Sequence, residues 1–453
     1  MSRKFHYLLA LFVLLAIALS FYKTSNTKEE FRKIYGDVPA GGYLAQGPIV
    51  GAVSSDRAKV WFRTSQTSDV SVNYRQVGSK KWVKTSSYQT AANKDYALSI
   101  LLTNLAPKTE YEYMIIVDGI RQNNPSLKFT TFPAAGSASE FSFGVLADFR
   151  KANETAPEHS YTFSSLSSYN PKFVMIIGDH DHNSPQTVDE KRTMFKRLYD
   201  PTSSDMSDYV NLILRKSAMA LVWDDHDYGD DNGDKTYANK QLSLQVLREF
   251  FPLYPVSDYG DWQKFTYGQA DFFMLDMRSQ SDSIFDIDGP DKSRLDGDNL
   301  GASGQLQWLY TGLKASTAVW KFIVTPSVFN PTPGKYDSWA SFQTERQAII
   351  DFINSNGIKN VVLLSADMHF GAIDNGSNSG FVEMLTPSAN TFGCITNPPD
   401  FSTGTWSEGI YVKDPGWCWG FGLVEVKTNP DRINLYVKDH QNNTKVSYTA
   451  YSR

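Results

Sequence analysis

Hydrophobic and polar positions follow two different rhythms along this chain. Apolar residues first alternate with polar ones in short runs: Ile49 to Val53, Arg57 to Arg63, Val70 to Arg75, Trp82 to Thr85, Ala97 to Leu102, Glu110 to Val117 and Ser126 to Phe132. Period-two alternation rich in Val, Ile, Tyr and Trp marks half-buried strands, and the Ser, Asp, Gly, Pro and Asn between the runs are turn formers. Evenly spaced short strands of this kind predict an antiparallel β-sandwich over residues 43–133. After a linker, Pro133 to Glu140, the rhythm lengthens. Continuous apolar runs at Phe141 to Leu146, Phe173 to Ile177, Met219 to Trp223, Phe272 to Leu275, Trp320 to Thr325 and Val361 to Leu364 read as buried strands. Helical stretches at Leu242 to Phe250 and Thr344 to Asn354 fall between them. Strands alternating with helices predict a layered α/β domain over residues 138–453, with its site at the C-terminal ends of strands.

The segment Leu105 to Tyr111 (LAPKTEY) is similar to the loop that leads into a tyrosine corner in fibronectin type III modules, so the sandwich is expected to be of the immunoglobulin or fibronectin kind. It holds no cluster of ligand-type residues and is assigned a covering or spacing role.

Only the N-terminus departs from a soluble pattern. Arg3 and Lys4 precede an almost uninterrupted apolar run from Tyr7 to Tyr22, with Ala18-Leu19-Ser20 as a small-x-small cleavage site. Residues 1–20 are read as a secretory signal or, if uncleaved, a membrane anchor over residues 7–22. Residues 21–42 form a polar, Gly-ended lead-in. Either way the remainder is exported, to the periplasm, the cell surface or the medium. The oxidising compartment permits Cys394 and Cys418, the only cysteines, to pair. A formal net charge of -5, with no basic block, gives no nucleic-acid-binding footprint.

Chemistry concentrates where apolar strands stop. Phe143 to Leu146 runs into Asp148 and Arg150; Phe173 to Ile177 into Gly178-Asp179-His180-Asp181-His182; Ala220 to Trp223 into Asp224-Asp225-His226-Asp227; Val361 to Leu364 into Asp367-Met368-His369. A solvated acidic turn would account for any one of these, but four with the same placement point to a polynuclear metal site, because crowded carboxylates repel one another unless cations offset the charge. Gly178 permits a tight turn that lets Asp179 offer one oxygen to each of two cations. Asp367 and His369 share a side if strand geometry persists there. Asp225 is read as the ligand of its quartet, His226 as a general acid or oxyanion donor, and Arg150 as a phosphate clamp whose planar fork matches phosphate oxygens. Of His180 and Asp181, at least one is expected to support the site or lie exposed, and His159 is read as surface. Asp230 to Asp234 suggests a calcium loop but lacks the loop glycine and the closing glutamate of an EF-hand, Lys235 standing where the glycine belongs. Trp417, Trp419 and Phe421 either wall the cleft or pack the core.

Taken together these motifs resemble the alkaline phosphatase D (PhoD-like) family of metallophosphatases. The likeness rests on Gly47-Pro48-Ile49-Val50-Gly51 with Val60-Trp61-Phe62-Arg63, on the strand-end motifs in the same order, and on Asp276-Met277-Arg278-Ser279, Gln305 to Leu309 and Asp337-Ser338-Trp339 with Glu345-Arg346. It implies a four-layer αββα catalytic domain and an exported phosphomonoesterase or phosphodiesterase that uses a metal-bound hydroxide on a small phosphoester. Metal ligands would be Asp148, Asp179, His182, Asp225, Asp367 and His369, holding two or more ions. Two departures bear on the metal. Where the family's iron-type site has a cysteine and a tyrosine, this chain has Asp148 and His182. Carboxylates and imidazoles suit Zn, Mn or Fe(II), and the extra carboxylates admit Ca. The broader calcineurin-like phosphoesterases place a histidine where Arg150 stands and an asparagine where Asp225 stands. The rival readings are a non-catalytic cell-surface module with structural calcium and a phospholipase-type metallohydrolase.

Overall fold

The computed structural model describes residues 42–122, 127–151, 154, 159–331, 337–391, 405–412 and 418–453. The N-terminal apolar run and the lead-in to residue 41 lie outside them, as do Cys394 and Trp417; Cys418 is buried, and no cysteine among the described residues is free. Among the described residues no helix is long and apolar enough to cross a membrane.

The fold is mixed α/β, with large sheets and few helices. A nine-stranded sheet runs in the order Thr444–Tyr451, Arg432–Asp439, Gly420–Lys427, Phe141–Leu146, Phe173–Ile177, Ala218–Val222, Leu44–Gly51, Ala58–Thr64 and Ala97–Leu102. Its central strands, Phe141–Leu146, Phe173–Ile177 and Ala218–Val222, are parallel, so their C-terminal ends emerge along one edge. A seven-stranded sheet carries a second parallel set: Ala270–Met274, Trp320–Val324, Val361–Ser365 and Val382–Leu385.

Side-chain alternation explains how the two sheets meet. Phe143, Val145, Phe173, Met175, Ile177, Ala220 and Val222 point into a core shared with Phe272, Met274, Phe322, Val324 and Leu364 of the seven-stranded sheet. Phe143 stacks on Phe173 at 4.8 Å between ring centres, Phe272 on Phe322 at 4.8 Å, and Phe143 meets Phe272 edge-on at 5.3 Å, the offset and T-shaped arrangements aromatic rings prefer. The alternate residues Leu146, Val174, Ile176, Met219 and Leu221 face outward onto the helices Thr162–Ser167, Val188–Leu198 and Lys240–Phe250. Helices Gln305–Ala315 and Gln343–Ser355 cover the far side of the other sheet through Phe273, Ile323 and Leu363.

The N-terminal strands do not form a separate body. Leu44–Gly51, Ala58–Thr64 and Ala97–Leu102 face a six-stranded sheet built on Asp69–Gln76 and Glu110–Val117, with Val60, Phe62, Ile100, Val72, Ile115 and Val117 between them. However, Leu44–Gly51 also pairs in parallel with Ala218–Val222, Gly51 opposite Met219, so one of these sheets is continuous with the central parallel strands. Trp61, on the outer face, donates its indole N–H to the Glu249 carbonyl at 2.9 Å and packs on Tyr199 and Phe250. The Tyr111 hydroxyl accepts the Ala106 N–H at 2.8 Å, the bond that defines a tyrosine corner.

Candidate metal centre

All four strand-end turns converge between the C-terminal edges of the two sheets. Asp148, Asp179, His182 and His369 each place a ligand-type atom within 4.8 Å of the others, as do Asp179, Asp225 and His226, and Asp179, Asp224 and Asp367. Asp179 is common to all three sets. The turns are tight: Asp148, Asp179, Asp367 and His369 all adopt positive φ, between 51° and 72°. Asp and His tolerate that region better than most residues, and non-glycine residues held there concentrate at functional sites. Asp367 and His369 therefore do not continue the strand Val361–Ser365; they reach different ligand sets from a twisted turn instead of sharing one face. Gly178, at φ 98°, lies so close to the next turn that a Cβ would stand 2.5 Å from the Asp224 Cβ.

Hydrogen bonds aim the ligand atoms. The His182 Nδ1 sits 2.8 Å from the Phe149 carbonyl, which requires the proton on Nδ1 and leaves the Nε2 lone pair bare. That Nε2 is 3.5 Å from Asp179 Oδ2 and 3.2 Å from the His369 Nε2, which in turn lies 3.8 Å from Asp148 Oδ1. Two imidazole nitrogens converging on two carboxylates is the donor geometry of a cation site. Asp225 accepts the His226 N–H at 2.9 Å and the Asn232 N–H at 2.7 Å, which fixes its carboxylate. The His226 Nδ1 is 2.6 Å from the Ser184 hydroxyl.

Electrostatics agree with a missing counter-charge. Burial, reinforced by Asp225, Asp224, Asp148 and Asp227, pushes the Asp179 carboxyl well above the usual range. Its Oδ1 is buried with no hydrogen-bond partner, an arrangement that bound cations would satisfy and that protein groups alone do not. Burial and the neighbouring His226 hold the His182 imidazole down to about 4, so it is neutral and able to ligate at neutral pH. Burial works against the Asp225 charge, but Arg278 and His226 outweigh it and keep that carboxyl below its ordinary value. The residues thus fit a polynuclear cation site by donor chemistry and by an unsatisfied buried oxygen.

The remaining sequence expectations divide. Arg150 is half-buried and outside the ligand sets: its N–H donates to Asn390 Oδ1 at 2.9 Å, its Nε–H to the Asn390 carbonyl at 3.2 Å, and its guanidinium lies 5.6 Å from the Trp419 ring centre. His226 stands within ligand reach of Asp179 and Asp225, a position the sequence reading did not give it. His180 and Asp181 are both buried, neither exposed. His180 pairs with Asp227 at 3.1 Å beneath the site, and Asp181 pairs with Arg197 at 2.7 Å. Asp227 therefore faces away from the ligand sets. His159 is on the surface, 3.5 Å from Asp208. Trp419 and Phe421 are fully buried and pack the core. At the rejected calcium loop, the Lys235 ammonium pairs with Asp282 at 2.7 Å and donates to the Gly297 carbonyl, so a side-chain cation occupies the place between carboxylate and carbonyl.

Sequence reasoning missed Asp224 as a ligand-type residue and gave no role to Arg278. That guanidinium, 1% exposed, donates to Asp224, lies 2.7 Å from Asp337 and 3.7 Å from Asp225; Arg294 closes the network at 2.9 Å from Asp337. Asp276 holds the turn by accepting the Arg278 and Ser279 N–H groups and the Trp223 indole. The available signal was Asp224 within the acidic quartet, and the stretches Asp276-Met277-Arg278-Ser279 and Asp337-Ser338-Trp339, which the sequence reading used only as family landmarks.

Comparison with known proteins gives the same picture. Residues 170–436 match the model of a family described as PhoD-like phosphatase, and residues 42–135 match a domain of unknown function, DUF7800. The chain is 25% identical over 334 residues to alkaline phosphatase D of Bacillus subtilis (strain 168), a match that covers 64% of this chain and 56% of that protein, so the chain spans little more than half the length of this curated relative. A solved structure of PhoD superposes with a TM-score of 0.69 at 19% identity, covering 89% of each chain. The purple acid phosphatase PPD1 of yellow lupin superposes with a TM-score of 0.61 at 11% identity over 90% of this chain and 74% of its own. These two likenesses concern the fold. With more than half its length under the family model, and the strand-end carboxylates and imidazoles gathered at one edge, the chain belongs to the PhoD-like phosphatase family.

Proposed function

We propose that this chain is an exported metal-dependent phosphoesterase that hydrolyses phosphomonoesters or phosphodiesters of small molecules. The observation that carries the reading is Asp179: a buried carboxylate common to three ligand sets, with an oxygen that no protein donor satisfies. Asp148, Asp179, His182, Asp225, Asp367 and His369 would hold two or more ions, with Asp224 and His226 within reach of the same positions. Bound cations supply a lowered water pKa and charge neutralisation at the phosphoryl oxygens. The chain's own groups supply the rest. The Phe149 carbonyl fixes the His182 tautomer, and Arg278 balances the charge of Asp224 and Asp225. Arg150, braced by Asn390 and Trp419, grips a non-reacting phosphate oxygen; His226, poised by the Ser184 hydroxyl, assists the leaving group. The donor set favours Zn, Mn or Fe(II), with Ca admitted at the carboxylate-rich end.

The finer readings of the N-terminal half rest on the sequence. We infer an immunoglobulin- or fibronectin-like sandwich over residues 43–133 that covers the catalytic sheet, and a signal or anchor in residues 1–20 that exports the protein to the periplasm, cell surface or medium. Turnover of p-nitrophenyl phosphate and of its bis ester, before chelation, after it, and after return of single metals, tests the activity. Loss on chelation with recovery by one metal is expected. Absence of turnover with every metal while calcium still raises stability favours the non-catalytic module instead.

A further inference from the structure

Behind the metal centre, Asp227 ties two ligand-bearing turns together. Its Oδ1 accepts the His180 backbone N–H at 3.0 Å and lies 3.1 Å from the His180 Nδ1, while its Oδ2 accepts the Asp224 N–H at 3.2 Å. One carboxylate therefore spans the turn that carries Asp179 and His182 and the turn that carries Asp224 and Asp225. The Asp227 carbonyl is itself held by the Lys191 ammonium at 3.1 Å. With Nδ1 turned to Asp227, the His180 Nε2 faces away from it, and the imidazole packs on Phe149 and Phe251 at 5.6 Å and 5.2 Å between ring centres. Tyr209 packs on the same Phe149 at 5.0 Å and Tyr199 on the same Phe251 at 5.7 Å, so both phenols share the imidazole's surroundings. Both feel the charge of Asp227, and Tyr199 also feels Tyr209; burial pushes both hydroxyls well above their ordinary range, so they keep their protons. His180, Tyr199 and Tyr209 are each no more than 1% exposed. The His180 Nε2 and the two hydroxyls are all buried without a hydrogen-bond partner among the described residues. Three unbonded polar atoms in one aromatic shell would cost stability, because each has given up its hydration.

We propose that the His180 Nε2 and the hydroxyls of Tyr199 and Tyr209 bind one internal water, and that Asp227, His180 and this water form a positioning unit for the ligand turns. A water offers two donors and two acceptors and makes about three hydrogen bonds when buried, so it matches one ring nitrogen and two hydroxyls whichever way each bond runs. The unit fixes His180 at both nitrogens, and with it the direction in which the neighbouring Asp179 and His182 side chains leave their turn. None of its residues belongs to the ligand sets, so each acts through Asp179, His182, Asp224 and Asp225. The inference rests on the proposed metal centre.

Two measurements separate the water from its role. In a crystal structure of the metal-loaded full chain, a water is expected within about 3.2 Å of all three atoms; no density between them overturns the water site. Co(II) affinity by chelator competition, read together with the visible spectrum of the Co(II)-loaded protein, tests the positioning. His180→Phe keeps a ring and loses both nitrogens; it is expected to weaken Co(II) binding by roughly 10- to 100-fold and to shift the ligand-field bands. His180→Asn returns a donor near the place of Nδ1 and is expected to recover most of that affinity. Tyr199→Phe with Tyr209→Phe removes the hydroxyls but neither ring, and is expected to lose the water and weaken Co(II) binding by roughly tenfold, which carries the test should His180→Phe not fold. A lowered melting temperature with unchanged affinity and unchanged bands, or no recovery in His180→Asn, overturns the positioning role. Wild type that takes up no Co(II) sinks the metal centre and the positioning role with it, while the electron density still decides the water.

Discussion

Replacing Gly178 by alanine strikes the point where two ligand-bearing turns come closest. At φ 98° an alanine is strained, and its Cβ would stand 2.5 Å from the Asp224 Cβ and 3.2 Å from the Asp224 nitrogen. Neither neighbour can yield easily: Asp224 follows the buried strand Ala218–Val222, and its carboxylate is held by Arg278. A left-handed conformation costs an L-residue about 1–2 kcal/mol, and overpacking adds about 1–3 kcal/mol, so the variant should lose about 2–5 kcal/mol. Gly136→Ala is the control, since Gly136 has φ 79° but nothing within 4 Å of its would-be Cβ; it should lose only the conformational part, about 1–2 kcal/mol. Because Gly178 precedes the shared carboxylate of Asp179, the strain should also separate Asp179 from Asp224 and lower turnover, a misplacement of about 1 Å costing up to ~100-fold. Denaturant unfolding with metal titration of both variants provides the comparison. Equal stability losses in the two variants, with metal affinity and turnover unchanged in Gly178→Ala, would refute the reasoning.

Two further perturbations probe the surroundings. Arg278→Gln leaves Asp224 buried without its cation and Asp337 with Arg294 alone among the described residues, and breaking a buried ion pair from one side costs about 3–5 kcal/mol; chemical denaturation at neutral pH should show a loss of that size, against a negligible one for the exposed pair in Arg57→Gln. Glu345, whose carboxyl burial raises to about 7, tests pH linkage. Its folded value lies above its unfolded one, so its contribution is fully present below about 4.5 and is lost as pH rises through 7. Between pH 5 and pH 8 the stability of wild type should therefore fall relative to Glu345→Gln, by up to ~3 kcal/mol; a pH-independent difference in urea midpoints would contradict this.

Much of this architecture was legible in the sequence because its cause is local. Strands such as Phe141–Leu146, Phe173–Ile177 and Glu110–Val117 have the bounds their apolar pattern predicts, and the helix over Gln343–Ser355 differs from its predicted range by one residue at each end. Helices Val188–Leu198 and Gln305–Ala315 and the three long C-terminal strands went unread, although Thr187 and Glu190 form a capping box at the start of the first of these helices. The merging of Leu44–Gly51 with Ala218–Val222 was out of reach, since a strand's own pattern says which face is buried but not which edge finds a second partner. At the centre, Asp179, Asp225, Asp367 and His369 could be named because each stands where an apolar run stops, whereas Asp148 and His182 were named as ligands through the family resemblance. Asp224, Arg278 and Asp337 could not be placed, because their role depends on ion pairs between residues more than fifty positions apart.

The central claim is that these scattered side chains hold cations around Asp179. Elemental analysis of the purified protein after equilibration with Zn, Mn, Fe(II) or Ca and removal of free metal addresses it directly, with wild type beside Asp179→Asn. Two or more ions per wild-type chain, with the count reduced by at least one in Asp179→Asn while the variant stays folded, is the predicted result. Less than one ion per chain for every metal in wild type, or an identical count in the variant, would contradict it.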